Sequence, residues 1–166
     1  MKTNACRMLD ALAIRYETRE YTVDPDDLSG ETVARKIGLP PEQVFKTLLC
    51  RVDHEQIVFA VLSVAGELDF KKLAAAAGGK RAELVPITEV QPLTGYIRGG
   101  VTVFGSKKAF PVFAEETIEI FDRISVSAGM RGLQLLLSPA DYIRAAQAQL
   151  VDLVRASSVA PGETTR

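Results

Sequence analysis

Apolar positions along the chain keep two rhythms, one helical and one alternating, and the boundaries between them are marked by capping residues and glycines. Ala5, Met8, Leu9 and Leu12 share one helical face behind Thr3 or Asn4, either of which can cap the turn. Residues 14–21 then alternate as a half-buried strand, and Asp24-Pro25-Asp26-Asp27 breaks the pattern as a loop. Ser29 opens a second helix with Val33, Ala34 and Ile37 inward and Gly38 as its stop. Pro40-Pro41-Glu42 forms one helical turn that leads into residues 44–50, V-F-K-T-L-L-C, an apolar strand with a lysine at its centre. A polar turn at 51–55 and a second apolar run at 56–64 complete a hairpin. Asp69 caps a helix carrying Phe70, Leu73, Ala74 and Ala77, which ends at Gly78-Gly79.

The second half is richer in glycine. Residues 80–85 read as a short strand and 88–93 as a helical turn limited by Pro92. Between Thr94 and Lys108, glycines at 95, 99, 100 and 105 let the backbone take positive φ and approach a ligand closely. Residues 110–113 and 119–121 are strand candidates, and 124–127 with 133–137 form another hairpin. Ser138-Pro139-Ala140-Asp141 starts a last helix that is expected to run to about Ser157. Residues 157–166 are expected to be a flexible tail. Helices interleaved with hairpins predict one mixed α/β domain over 1–156. Its sheet should be mostly antiparallel, curled toward a barrel and surrounded by helices.

Composition narrows the chemistry. The 166 residues are 47% hydrophobic and 25% charged, as in an ordinary soluble domain. No apolar run is long enough to span a bilayer, and the charged N-terminal stretch does not resemble an export signal. A cytoplasmic protein is expected, and Cys6 and Cys50 are too few for a disulfide framework. The net charge of −1 argues against general nucleic-acid or DNA binding, though not against a local basic patch. The single histidine, His54, falls in a polar turn, where it has no marked partner for catalysis. No cluster of metal-ligand spacing and no phosphate-binding loop is present, so no cofactor is expected. Cys6 reads as packing; Cys50 could be a nucleophile, but no basic neighbour in sequence would lower its pKa. Glu115-Glu116 and Asp26-Asp27 read as solvated carboxylates.

Lys46 and the glycine-rich turns remain. An ammonium in an apolar strand either meets an anionic visitor in a pocket or stands on the wet face of the sheet. Free backbone amides in glycine turns could hold a carbonyl or phosphate oxygen, or the glycines could simply turn tight hairpins.

Five motifs in order carry a more specific likeness: S-G-E-T-V-A at 29–34, F-K-T-L-L at 45–49, G-E-L-D-F-K-K-L-A at 66–74, T-G-Y-I-R-G-G at 94–100 and V-S-A-G-M-R-G-L at 126–133. Together they resemble the YbaK/ProX family of aminoacyl-tRNA editing proteins, in particular its Cys-tRNA(Pro) deacylase branch, over about residues 3–155. The resemblance implies a trans-editing hydrolase of Cys-tRNA(Pro), and of Cys-tRNA(Cys) as an extension. The substrate's own thiolate would attack its ester, so the protein supplies orientation and charge stabilisation. It assigns Lys46 and Gly99 to catalysis, and Tyr21, Thr47, Gly100, Ser127, Gly129 and Gln134 to substrate binding. The implied partners are the acceptor end of a charged tRNA and prolyl-tRNA synthetase. Lys71-Lys72, Lys80-Arg81, Arg98, Lys107-Lys108 and Arg131 are candidates for a basic rim. Two positions depart from the family pattern: Val103, where many relatives have proline, and Gln134, where some carry an acid. Ala-tRNA(Pro) hydrolysis by water, or a non-catalytic module that binds synthetase or tRNA, are the competing expectations.

Overall fold

Side-chain caps set where the helices begin. A computed structural model describes residues 2–156, so the tail expected at 157–166 lies outside the described residues. Thr3 accepts from the Cys6 amide at the head of α1 (Asn4–Ala11), and Ser29 accepts from the Thr32 amide at the head of α2 (Gly30–Ile37). Asp69 takes the Lys71 and Lys72 amides ahead of α3 (Phe70–Ala76). α4 (Ile87–Thr94) starts after Pro86 with no side-chain cap. Ser138 takes the Asp141 amide ahead of α5 (Pro139–Ala146), with Pro139 in its first turn. Each cap satisfies donors that the helix itself leaves orphaned. Gly38 closes α2 in the left-handed region, as the sequence predicts.

The strands are β1 (Glu17–Glu20), β2 (Phe45–Val52), β3 (Gln56–Ser63), β4 (Ala82–Leu84), β5 (Val112–Glu115), β6 (Ile124–Met130), β7 (Leu133–Leu137) and β8 (Gln149–Val151). They form two sheets rather than one curled sheet. The smaller is antiparallel in the order β1-β7-β6; the larger runs β4-β2-β3-β5-β8. β4-β2-β3 is antiparallel, but β3-β5-β8 is parallel. A single bridge, Val44 to Ser125, joins the two sheets at one corner. The expectation of a mostly antiparallel, barrel-like sheet is therefore corrected. A barrel needs continuous pairing around its circumference, and here it is interrupted beyond that bridge.

Three local readings also change. Residues 119–121 are not a strand; Glu116–Ile120 form a 3-10 turn, begun by the Glu115 carboxylate accepting from the Thr117 amide. Glu115 is not solvated: it is 3% exposed, and its other oxygen accepts from the Leu153 amide at 2.7 Å. The last helix stops at Ala146, where Gln147 turns left-handed at φ 52°, and the following residues pair with β5 as β8.

Alternation along β2 divides the interior. Phe45 and Leu49 face a core shared by the two sheets with α1 and Tyr142 of α5, while Cys50 and Val52 face a second core beneath Leu73 of α3. The described residues thus form one mixed α/β domain, since both sheets contribute to a common core. A third cluster packs Ala34 and Ile37 of α2 on Val44 and Val64. At this seam Gly30 comes so close that a Cβ there would lie 2.2 Å from Val64 Cγ1.

Candidate active site

A cavity of about 430 Å³ opens where the two sheets part. Beyond the Val44–Ser125 bridge, no strand among the described residues pairs with the free edge of β2 until Leu49, whose carbonyl accepts from the Val85 amide. Lys46, Thr47 and Leu48 line the cavity along this open edge. In an antiparallel pair successive residues turn their main-chain groups alternately toward and away from the partner. Leu49 points its carbonyl away from β3, so Thr47, two residues earlier, presents its N–H and C=O to the cavity as well. Leu28 and Val33 from the α2 region, Val64 after β3, and Leu84, Ile87 and Val90 around α4 make the rest of the wall largely apolar.

Lys46 is half-buried in this wall rather than standing on an open face of the sheet. Its Nζ donates to the Gly66 carbonyl at 3.0 Å and has no carboxylate partner among the described residues. One ammonium proton is thereby fixed, and two remain for an anionic or carbonyl oxygen.

The glycine-rich turn forms the facing wall through Arg98, Gly99 and Val101. Gly99 sits at φ 89°, where a side chain would be strained, and a Cβ would also meet the Arg131 side chain at 3.3 Å. Arg131 Nε donates to the Arg98 carbonyl at 2.7 Å and so braces the turn from behind. Gly100 differs from its sequence-based assignment. It is buried behind the wall, its amide is spent on the Ile97 carbonyl, and a Cβ there would lie 3.0 Å from Met130 Cα. Its amide is therefore not a free donor. Val103 is half-buried and packs on the main core.

Ser127 and Gln134 are register partners across β6 and β7, and both line the cavity. Gly129 does not: it lies in the bulge between Ser127 and Met130, donates to Ser127 Oγ at 3.1 Å, and faces the Tyr96 ring. Tyr21 also stands back from the cavity, packed on the cluster under α2. Of the eight sequence-based site residues, the structure therefore gathers Lys46, Thr47, Gly99, Ser127 and Gln134 around one cavity and sets Tyr21, Gly100 and Gly129 behind it.

Sequence reasoning missed Arg98 as a wall residue, Tyr96 and Ser125. Tyr96 Oη donates to the Phe104 carbonyl at 2.6 Å and anchors the glycine-rich segment. Ser125 is fully buried and bonds Gln134. The available signal was a hydroxyl alternating with apolar residues on a predicted strand. The apolar wall carried no signal, because it is drawn from five separated stretches.

The cavity lining holds no cysteine or histidine, and among the described residues the Ser127 hydroxyl is hydrogen-bonded to the Gly129 amide and to no base. Cys50 faces the second core, where burial pushes its thiol up to about 12. Cys6 is buried in the main core. His54 is an exposed turn residue 3.6 Å from Glu83. Among the basic rim candidates, Arg98 lies in the cavity wall, whereas Lys72 is engaged by Asp152 at 2.8 Å. No helix among the described residues is long and apolar enough to cross a membrane.

Comparison with known proteins identifies the family. Residues 25–145 match the family model for the aminoacyl-tRNA editing domain. The chain is 38% identical over 152 residues to EbsC of Enterococcus faecalis, a candidate Cys-tRNA(Pro)/Cys-tRNA(Cys) deacylase, covering 92% of this chain and 93% of that one. It is 35% identical over 129 residues to ProXp-y of Escherichia coli K12, a multifunctional Ser/Thr-tRNA deacylase, covering 75% and 77%. A crystal structure of a candidate trans-editing enzyme for prolyl-tRNA synthetase superposes with a TM-score of 0.79 at 21% identity, covering 94% of this chain and 99% of that one, and so shares the fold. By family match, extended identity and common fold, the chain belongs to the aminoacyl-tRNA editing domain family and is an aminoacyl-tRNA deacylase.

Proposed function

We propose that the protein hydrolyses Cys-tRNA(Pro) in trans, in the cytoplasm, after prolyl-tRNA synthetase has mischarged the tRNA. The observation that carries this reading is a small, mostly apolar cavity with a lysine and open main-chain donors, lined by no cysteine or histidine and by a serine that no base activates. The identity to EbsC supports cysteine as the amino acid. A proline-sized synthetic site cannot strongly reject another small side chain, so a second site that clears the product is needed.

The cysteinyl thiolate attacks its own ester carbonyl carbon. A carbon–sulfur bond forms, the ester carbon–oxygen bond breaks, and the ribose oxygen leaves with a proton from water. Water then opens the thiolactone to free cysteine. Lys46 orients the acceptor end through a phosphate or ester oxygen, and the Thr47 and Gly99 main-chain groups hold the carbonyl as charge develops on it. The identity to ProXp-y favours a second reading, in which water attacks Ser- or Thr-tRNA in the same cavity.

A deacylation panel separates them. Wild-type protein is expected to release cysteine from Cys-tRNA(Pro) faster than alanine, serine or threonine from their esters. Lys46→Ala should lower that rate by about a hundredfold, the order of losing one charge-stabilising donor. Equal rates for Lys46→Ala and wild type would remove Lys46 from the reaction.

A further inference from the structure

A polar pair is set into the cavity lining where apolar residues would otherwise suffice. Ser125 is fully buried and Gln134 is 5% exposed. Ser125 Oγ donates to Gln134 Oε1 at 2.8 Å, the only fully buried hydrogen bond between two side chains among the described residues. The register explains the contact. Ser127 stands opposite Gln134 and Ser125 opposite Leu136, so Ser125 and Gln134 are diagonal neighbours on one face of the sheet. That face looks into the cavity.

This bond accounts for only half of the amide. Gln134 Nε2 has two hydrogens and no acceptor among the described residues. Arg19, its register neighbour on β1, is occupied by Glu17 and the Ile37 carbonyl. Nor is Nε2 sealed in protein: among the described residues, the buried side-chain atoms enclosed without a partner are Ser106 Oγ and Tyr142 Oη. Gln134 therefore holds a fixed, unpartnered donor toward the cavity it lines.

We propose that Gln134, oriented by Ser125, reads the β-heteroatom of the bound aminoacyl side chain, donating from Nε2 to the sulfur of cysteine or the oxygen of serine. The inference rests on the deacylase reading and adds a specificity-determining residue and its positioning residue. With Oε1 taken by Ser125, the amide turns Nε2 toward the cavity, so the site offers a donor there. A side chain ending in a methyl group would displace solvent from that donor without meeting it, at a cost to binding. The same donor stabilises a thiolate better than a thiol, and so favours the attacking form of a cysteinyl ester.

The test uses two readouts on the purified protein. The first is binding of non-hydrolysable adenosine conjugates carrying serine or its methyl isostere, 2-aminobutyrate, in amide linkage at the ribose. Wild type is expected to bind the seryl conjugate about fivefold to tenfold more tightly, the order of one neutral hydrogen bond. Gln134→Leu and Gln134→Met should abolish the difference. The second readout is deacylation. Both variants should lower the ratio of Cys-tRNA(Pro) to Ala-tRNA(Pro) hydrolysis rates about tenfold. Ser125→Ala should shrink the cysteine-to-alanine ratio, and Ser125→Thr should restore it, which a merely structural role would not do.

Equal or absent binding of the two conjugates to wild type overturns the inference, and no variant is needed for that result. An unchanged cysteine-to-alanine ratio in a folded Gln134→Leu protein overturns it as well. Failure of wild type to hydrolyse any charged tRNA would instead overturn the deacylase reading, while the conjugate pair still reports on Gln134.

Discussion

At the scale of single residues, environment rather than residue type decides which groups can react. Cys50 lies only four residues after Lys46 on the same strand, yet it faces the apolar core under α3. Removal from water raises its thiol from 9.0 to about 12. The folded protein should therefore stay unlabelled by a thiol alkylating reagent at pH 8, while the urea-unfolded chain is labelled, as mass spectrometry would show. The sign of the linkage follows. The folded-state value is raised, so its contribution is complete below the unfolded value near 9 and is lost as pH climbs from there toward 12. Urea melts across that interval should fall in stability for wild type, with a shallower fall for Cys50→Ala. Lys46 could be singled out from the sequence because one charge interrupts an apolar run. Its bond to the Gly66 carbonyl could not, since that contact joins segments twenty residues apart.

Among the elements, helix α2 is the one whose placement the cavity most depends on. It meets Val64 through Gly30, which has no room for a side chain. Gly30→Ala should destabilise by about 1–3 kcal/mol through overpacking, even though alanine favours the helical state. Val64→Ala should relieve most of that cost, so the double variant should be far less destabilised than the two singles summed, as denaturant melts would reveal. Elements fixed by neighbours in sequence were legible beforehand: Ser29 and Gly38 bound α2, and Ser138 with Pro139 opens α5. Elements fixed at a distance were not. The run after Ala146 has helical composition, but Gln147 turns it, and parallel pairing with β5 together with the buried Glu115 holds it as a strand. For the same reason residues 119–121, expected as a strand, fall instead at the end of a 3-10 turn, Glu116–Ile120, that begins at Glu115. The site followed this division: Lys46, Thr47, Gly99, Ser127 and Gln134 came from motifs, while the wall from Leu28 to Val90 came from tertiary packing.

Over the whole molecule, a net charge of −1 still leaves cations available beside the cavity. Some cations away from the cavity are engaged by carboxylates, as in Lys72–Asp152 at 2.8 Å and Arg155–Glu67 at 3.3 Å. Arg98 and Lys107, both exposed on the glycine-rich segment, have no such partner among the described residues. Phosphate contacts release counterions, so tRNA affinity should fall with salt, and Arg98→Ala combined with Lys107→Ala should lower the log–log slope by about 1.5 to 2. Filter binding at several salt concentrations would measure this, with Lys72→Ala leaving the slope unchanged. The open edge of β2 has a further consequence at this scale. Unpaired strand edges invite growth of intermolecular sheets, and here α4 and the glycine turn line the opening and fence it from another chain. Loosening that fence to broaden substrate range would expose a template for aggregation, so the enzyme's selectivity and its solubility are guarded by the same wall.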